Sequence, residues 1–208
     1  MSILLSAEQL SCVRQDRVLF DQLSFDLPAG QVLHIQGKNG AGKSSLLRIL
    51  AGLADAETGQ VRFRDLPITS SAAGFSQHLL FIGHQAGIHS QLNALQNLEF
   101  WAALLGCSQY EPYQLLGQLG LAGLEDIPCY MLSAGQQRRV SLARLWLTER
   151  PLWILDEPFT SLDKQLISRL EQQLQLHCSR GGAVVLTSHQ ALSADYQALA
   201  QLELQYRW

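Results

Sequence analysis

Three things are scarce in this 208-residue chain: cysteine pairs, long apolar runs and positive charge. The four cysteines, Cys12, Cys107, Cys129 and Cys178, stand far apart with no C-x-x-C among them, so neither a zinc site nor a disulfide framework is suggested. Free thiols in a reducing compartment are expected. No apolar run approaches the roughly 18 to 20 residues that cross a bilayer, so any membrane work is expected to go through a partner. Net charge is −3 and the fifteen Lys and Arg are scattered, which denies nucleic acid the basic stripe that phosphate neutralisation needs. The first ten residues have no basic n-region and carry Glu8, unlike a secretory signal, so a cytosolic product is expected. Repeats and low-complexity tracts are missing too. The length suits one domain, or a core with an inserted subdomain.

What is present centres on Gly37-Lys38-Asn39-Gly40-Ala41-Gly42-Lys43-Ser44, which matches G-x-x-x-x-G-K-[ST] between the apolar run Val32 to Ile35 and a helix-like run, Leu46 to Leu53. Strand, glycine loop and helix in this order make a polyphosphate cradle, because backbone N–H groups converge on the anion and the helix dipole adds to them. Lys43 is expected at the β and γ phosphates, the Ser44 hydroxyl on Mg²⁺, and Ser45 close by.

Upstream, Ile3 to Leu10, Val18 to Phe20 and Leu23 to Leu27 read as short antiparallel strands. Helix is predicted over Ser44 to Leu53, Asn93 to Leu105, Pro112 to Leu121, Ala134 to Thr148 and Leu162 to Cys178. Strand is predicted over Val61 to Arg64, Leu79 to Gly83, Leu152 to Leu155 and Ala183 to Thr187, the last two with the continuous apolar character of parallel strands covered on both faces. Alternation of this kind defines an α/β protein. Phe100, Trp101, Leu104 and Leu105 make a candidate buried or docking face.

Leu152 to Leu155 runs into two adjacent carboxylates. Asp156 is the expected Mg²⁺ holder and Glu157 the group that polarises an attacking water, against the plainer reading of a solvated strand end. His189 follows Thr187 closely and is a candidate γ-phosphate contact. Ser133 opens the helix at Ala134 either as an ordinary N-cap, with Gln136 completing a capping box, or with the Gly135 amide as a second anion site.

In this order the motifs resemble an ATP-binding cassette: phosphate loop, Leu132 to Gln136 as signature, Asp156-Glu157, Ser161-Leu162-Asp163 and His189. The resemblance implies an α/β P-loop NTPase with a RecA-like core over 1–85 and 150–208, an N-terminal antiparallel β subdomain and an inserted helical subdomain over 86–149. It implies ATP and Mg²⁺ as ligands, and catalysis by Glu157, His189 and Lys43. It also implies a head-to-tail second copy that supplies Ser133, Gly135, Gln136 and Asp163 in trans. The loop glutamine of the family falls on His84, with Gln85 one residue late, so either is the candidate Mg²⁺ reader. Where the family commonly stacks an aromatic residue on adenine, this chain has Arg14, whose guanidinium can stack instead.

Further stretches narrow the resemblance. Cys12-Val13-Arg14 with Arg17 to Phe20, Gly83 to Ile88, Leu132 to Leu147, Trp153 to Thr160 and Ser188-His189-Gln190 resemble the ATP-binding subunits of cytochrome c maturation complexes. That implies a peripheral protein on the cytoplasmic face of a bacterial inner membrane, working with a multi-spanning permease-like subunit. A cassette for a lipid or drug, a soluble cassette acting on ribosomes or DNA, and a P-loop kinase are the competing readings. The kinase has no use for residues 132–136.

Overall fold

The computed structural model describes residues 2–189 and 199–205. In chain order the elements are β1 (Ile3–Arg14), β2 (Arg17–Pro28), β3 (Val32–Gln36), α1 (Lys43–Leu50), β4 (Thr58–Phe63), β5 (Leu66–Pro67), α2 (Ala72–Ser76), β6 (Leu79–Ile82), α3 (Ala94–Leu105), α4 (Pro112–Gln118), α5 (Ala134–Leu142), β7 (Leu152–Leu155), α6 (Lys164–Ser179), β8 (Ala183–Thr187) and β9 (Leu199–Glu203). They belong to two compact units, one of residues 1–81, 150–157 and 174–208, the other of 82–149 and 158–173.

The first unit carries a sheet in the order β2-β1-β4-β5 and strands of a second in the order β6-β7-β8-β3-β9. In the second sheet β7–β8, β8–β3 and β3–β9 pair in parallel. Every residue of β7 and β8 is buried, which is why both read as unbroken apolar runs. The core joins the inner faces of β1 and β3 to Leu46, Leu47 and Leu50 of α1.

The three short N-terminal strands expected from the polar breaks are in fact two long ones. Arg14 pairs with Arg17 across a two-residue turn, and both turn residues, Gln15 and Asp16, have positive φ (49° and 60°), the geometry that matches hairpin twist. The break at Asp21-Gln22 is an irregularity within β2, not its end. Ser11 donates to Asp21 Oδ1 at 2.6 Å and accepts from the Gln22 amide at 3.2 Å, so the polar groups there are satisfied inside the sheet.

The second unit is largely helical, with a core of Leu98, Trp101, Leu116, Leu119, Val140 and Leu147. Asn93 caps α3 with a full capping box, Gly106 closes it in the left-handed conformation, and the buried Asn97 amide bonds the carbonyls of His89 and Asn93. The helix expected over Ala134 to Thr148 is shorter, since α5 passes into a tighter turn at Ala143–Trp146. The apolar face expected at 100–105 divides: Trp101 is buried at 5% exposure, whereas Phe100 and Leu104 are exposed at 46% and 65%.

Candidate nucleotide site

The phosphate loop leaves β3 and enters α1. Gly37 has φ 145°, and a Cβ there would lie 2.6 Å from the Leu204 carbonyl, so no larger residue fits. Gly42 (φ 97°) is the N-cap of α1 and makes no side-chain cap bond, so no side chain of the N-cap residue takes up the helix's first N–H groups. Lys38, Asn39 and Gly40 are exposed and Ala41 is buried; Ser44 is exposed at the start of α1, and Ser45 is half-buried. Lys43 folds back so that Nζ donates to the Gly37 carbonyl at 2.6 Å and the Lys38 carbonyl at 3.4 Å. With the glycines and the start of α1, this ammonium makes a cradle whose chemistry suits a polyphosphate.

Beside it, β7 and β8 end at the same edge of the sheet as β3, the edge at which open α/β sheets hold ligands. Asp156 follows β7, is 5% exposed, and accepts a 2.8 Å hydrogen bond from the Thr187 hydroxyl. The same Thr187 oxygen accepts from the Glu157 amide at 2.9 Å, which holds Glu157 in the left-handed region at φ 50°. From there the Glu157 carboxylate reaches His189, with Oε1 and Nε2 3.5 Å apart. The first unit therefore brings Glu157 and His189 together. A buried carboxylate beside a glycine cradle is also a donor set that suits a hard, oxygen-seeking cation such as Mg²⁺. Thr187 went unrecognised in the sequence because its role depends on the β7–β8 register; a threonine closing an otherwise apolar strand was the available signal.

Arg14 sits at the β1–β2 turn, exposed, with its guanidinium on the carbonyls of Val13 and Asp55 at 3.2 Å and 3.5 Å.

In the second unit the capping box at α5 is made in full: the Ser133 hydroxyl accepts from the Gln136 amide at 3.2 Å, and the Gln136 side chain accepts from the Ser133 amide at 2.8 Å. Ser133 remains exposed. Gly135 abuts the turn at Ser161, where a Cβ would come within 3.3 Å of the Ser161 carbonyl. Asp163 accepts from the Leu166 amide at 2.9 Å and from Arg139 Nη2 at 2.9 Å. The Leu166 amide first, and Arg139 with it, hold this carboxyl below its ordinary range.

His84 and Gln85 are both exposed, and the backbone around them is gripped from α5 and the turn after it. Arg138 donates to the Gly83 carbonyl at 2.7 Å, and Ser141 and Arg144 donate to the Ala86 carbonyl at 2.5 Å and 3.0 Å. Burial, with the neighbouring charge of Arg138 second, lowers Arg144 to about 10, and its guanidinium lies 4.9 Å from the centre of the Trp101 ring. Neither arginine nor Ser141 was singled out by spacing, because a backbone carbonyl leaves no mark in a sequence.

A glycine cradle after β3 and an acidic strand end after β7, two parallel strands with β8 between them, make this a P-loop nucleotide-handling protein. The family model described as ABC transporter matches residues 20–160, and the chain belongs to that family as an ATP-hydrolysing cassette. It is 47% identical over 203 residues to the cytochrome c biogenesis ATP-binding export protein CcmA of Vibrio cholerae, covering 97% of this chain and 98% of that protein. It is 53% identical over 192 residues to the protein of the same name from Yersinia pestis, covering 92% and 88%. Among solved structures it resembles an ATP-binding subunit of an ABC transporter (TM-score 0.80, 24% identity, 89% and 79% covered). It also resembles an ATP-binding cassette in a dimeric, post-hydrolysis state bound to ADP and Pi (TM-score 0.76, 20% identity, 89% and 88% covered).

Proposed function

We propose that this chain is the ATPase motor of a membrane complex for c-type cytochrome maturation, peripheral to the cytoplasmic face of a bacterial inner membrane. The observation that carries the reading is the pairing of a complete phosphate cradle with the Asp156–Thr187–Glu157–His189 chain of contacts, in a protein about half identical to CcmA relatives over almost its whole length.

In this reading Lys43 and the loop of Gly37, Asn39, Gly40, Ala41 and Gly42 bind the ATP phosphates, with Ser45 beside them. Ser44 and Asp156 would hold Mg²⁺, with Gln85 or His84 as its reader. Mg²⁺, when bound there, would offset the negative charge of the phosphates. Glu157 accepts a hydrogen bond from the attacking water and aligns it, and His189 contacts the γ phosphate. Arg14 stacks on the adenine. A second copy, head to tail, supplies Ser133, Gly135, Gln136 and Asp163; the structurally similar cassette described as dimeric and bound to ADP and Pi supports a dimer. Among the described residues no helix is long and apolar enough to cross a membrane, and Phe100 and Leu104 offer an exposed apolar pair to a multi-spanning partner.

The test is covalent haem staining of c-type cytochromes in a deletion strain complemented with wild-type or Lys43→Ala protein. Only the wild type is expected to restore staining. Normal staining in the uncomplemented strain would sink the maturation role and leave the ATPase intact.

A further inference from the structure

The strand that feeds the phosphate loop buries a histidine that has no part in the chemistry above. His34 lies in β3 at 1% exposure, with Nε2 3.1 Å from the Ser188 carbonyl and Nδ1 3.2 Å from Gln36 Nε2. A carbonyl only accepts, so Nε2 carries the hydrogen, and Nδ1 is left to accept from the Gln36 amide. An imidazole inside an apolar strand is tolerated only when its nitrogens are satisfied, and here both are.

The target of that bond is the peptide that leads into His189. Pairing between β3 and β8 runs as far as Ile35 against Thr187, and the His34 ring carries the link one residue further, to Ser188. The next side chain, His189, is 60% exposed with its Nε2 3.5 Å from Glu157 Oε1. An exposed ring takes part of its orientation from its backbone, and the peptide before it is bonded by the His34 ring.

We propose that His34 is a positioning residue: its Nε2–H fixes the Ser188 peptide so that the chain presents His189 to Glu157, tying that histidine to the strand of the phosphate loop. The proposal rests on the reading of His189 as a γ-phosphate contact. Gln36 belongs to the same device, since its amide selects the tautomer that donates to Ser188.

Glutamine and methionine are near-isosteric, and only glutamine can donate to Ser188. Full-length His34→Gln and His34→Met proteins, each in the membrane complex purified through this chain, are therefore compared for kcat and for KM toward Mg-ATP. His34→Met is expected to lose about tenfold in kcat with KM within about twofold of wild type, while His34→Gln keeps about half of wild-type kcat or more. Equal turnover by the two variants, whether high or low, overturns the proposal, because the donor would then be irrelevant. A His189→Ala protein run alongside separates the two failures. Wild-type turnover in it removes the His189 reading and this proposal together, whereas lost turnover in it with equal Gln and Met variants removes the role of His34 alone.

Discussion

Thr187 and Asp156 stand at the ends of neighbouring parallel strands, and the Thr187 hydroxyl donates to Asp156 Oδ1 at 2.8 Å. Because the same oxygen accepts from the Glu157 amide, one hydroxyl orients both carboxylate residues. Thr187→Val keeps the shape and removes the bond. We expect stability to fall by about 1 to 3 kcal/mol, as for a buried charged acceptor that loses a donor, and ATP turnover to fall by an order of magnitude. Thr187→Ser is expected to restore much of both, measured by denaturant unfolding and phosphate release.

Glu157→Gln preserves size and removes the carboxylate proposed above as the base. Turnover is expected to drop by about 100-fold or more, the usual share of a positioned general base, with ATP binding retained. Light scattering with ATP is then expected to detect a dimer that outlives the one formed by the wild type. A variant that binds ATP normally and stays monomeric would count against the second copy's part in the site.

His177 of α6 is stacked on the indole of Trp153, ring centroids 3.7 Å apart and 9° from parallel. Burial lowers its pKa from 6.5 to about 4, against the smaller opposing effect of backbone hydrogen bonds at Pro151 and Ala183. The folded state therefore takes up this proton later than the unfolded one. Its contribution is fully present above pH 6.5 and is lost as pH falls from 6.5 to about 4, to the extent of about 3 kcal/mol. His177→Phe keeps a stacked ring without the proton, so urea midpoints measured from pH 7 to pH 4 are expected to fall less steeply than in wild type.

The divided face of α3 gives a pair of opposite outcomes. Trp101→Ala empties a buried site and is expected to cost about 3 to 5 kcal/mol by thermal unfolding. Phe100→Ser with Leu104→Ser touches exposed positions, and stability is expected to move by less than about 0.5 kcal/mol per residue while recovery with membranes falls.

These residues also mark where sequence reasoning ran out. Glycine spacing, the acidic end of β7 and the capping box at Ser133 are local patterns, and each is found where the local chemistry dictates. Trp101 and Phe100 are adjacent and both aromatic, so only the packing of the second unit decides which of them is covered. Asp21 and Gln22 read as a strand end because the hydroxyl that satisfies them, Ser11, lies on the other strand of the hairpin. α2 and β9 escaped notice for a related reason: α2 has five residues, and β9 is half-buried at its apolar positions, so neither develops a full period.

The grip on residues 83–86 falls on the carbonyls of Gly83 and Ala86 and on neither of the side chains between them. A main-chain oxygen is the same whatever residue bears it. Exchange of His84 or Gln85 is therefore expected to leave the anchorage of this segment intact. The segment's position is thus set by its main chain, and its two exposed side chains carry none of that anchorage.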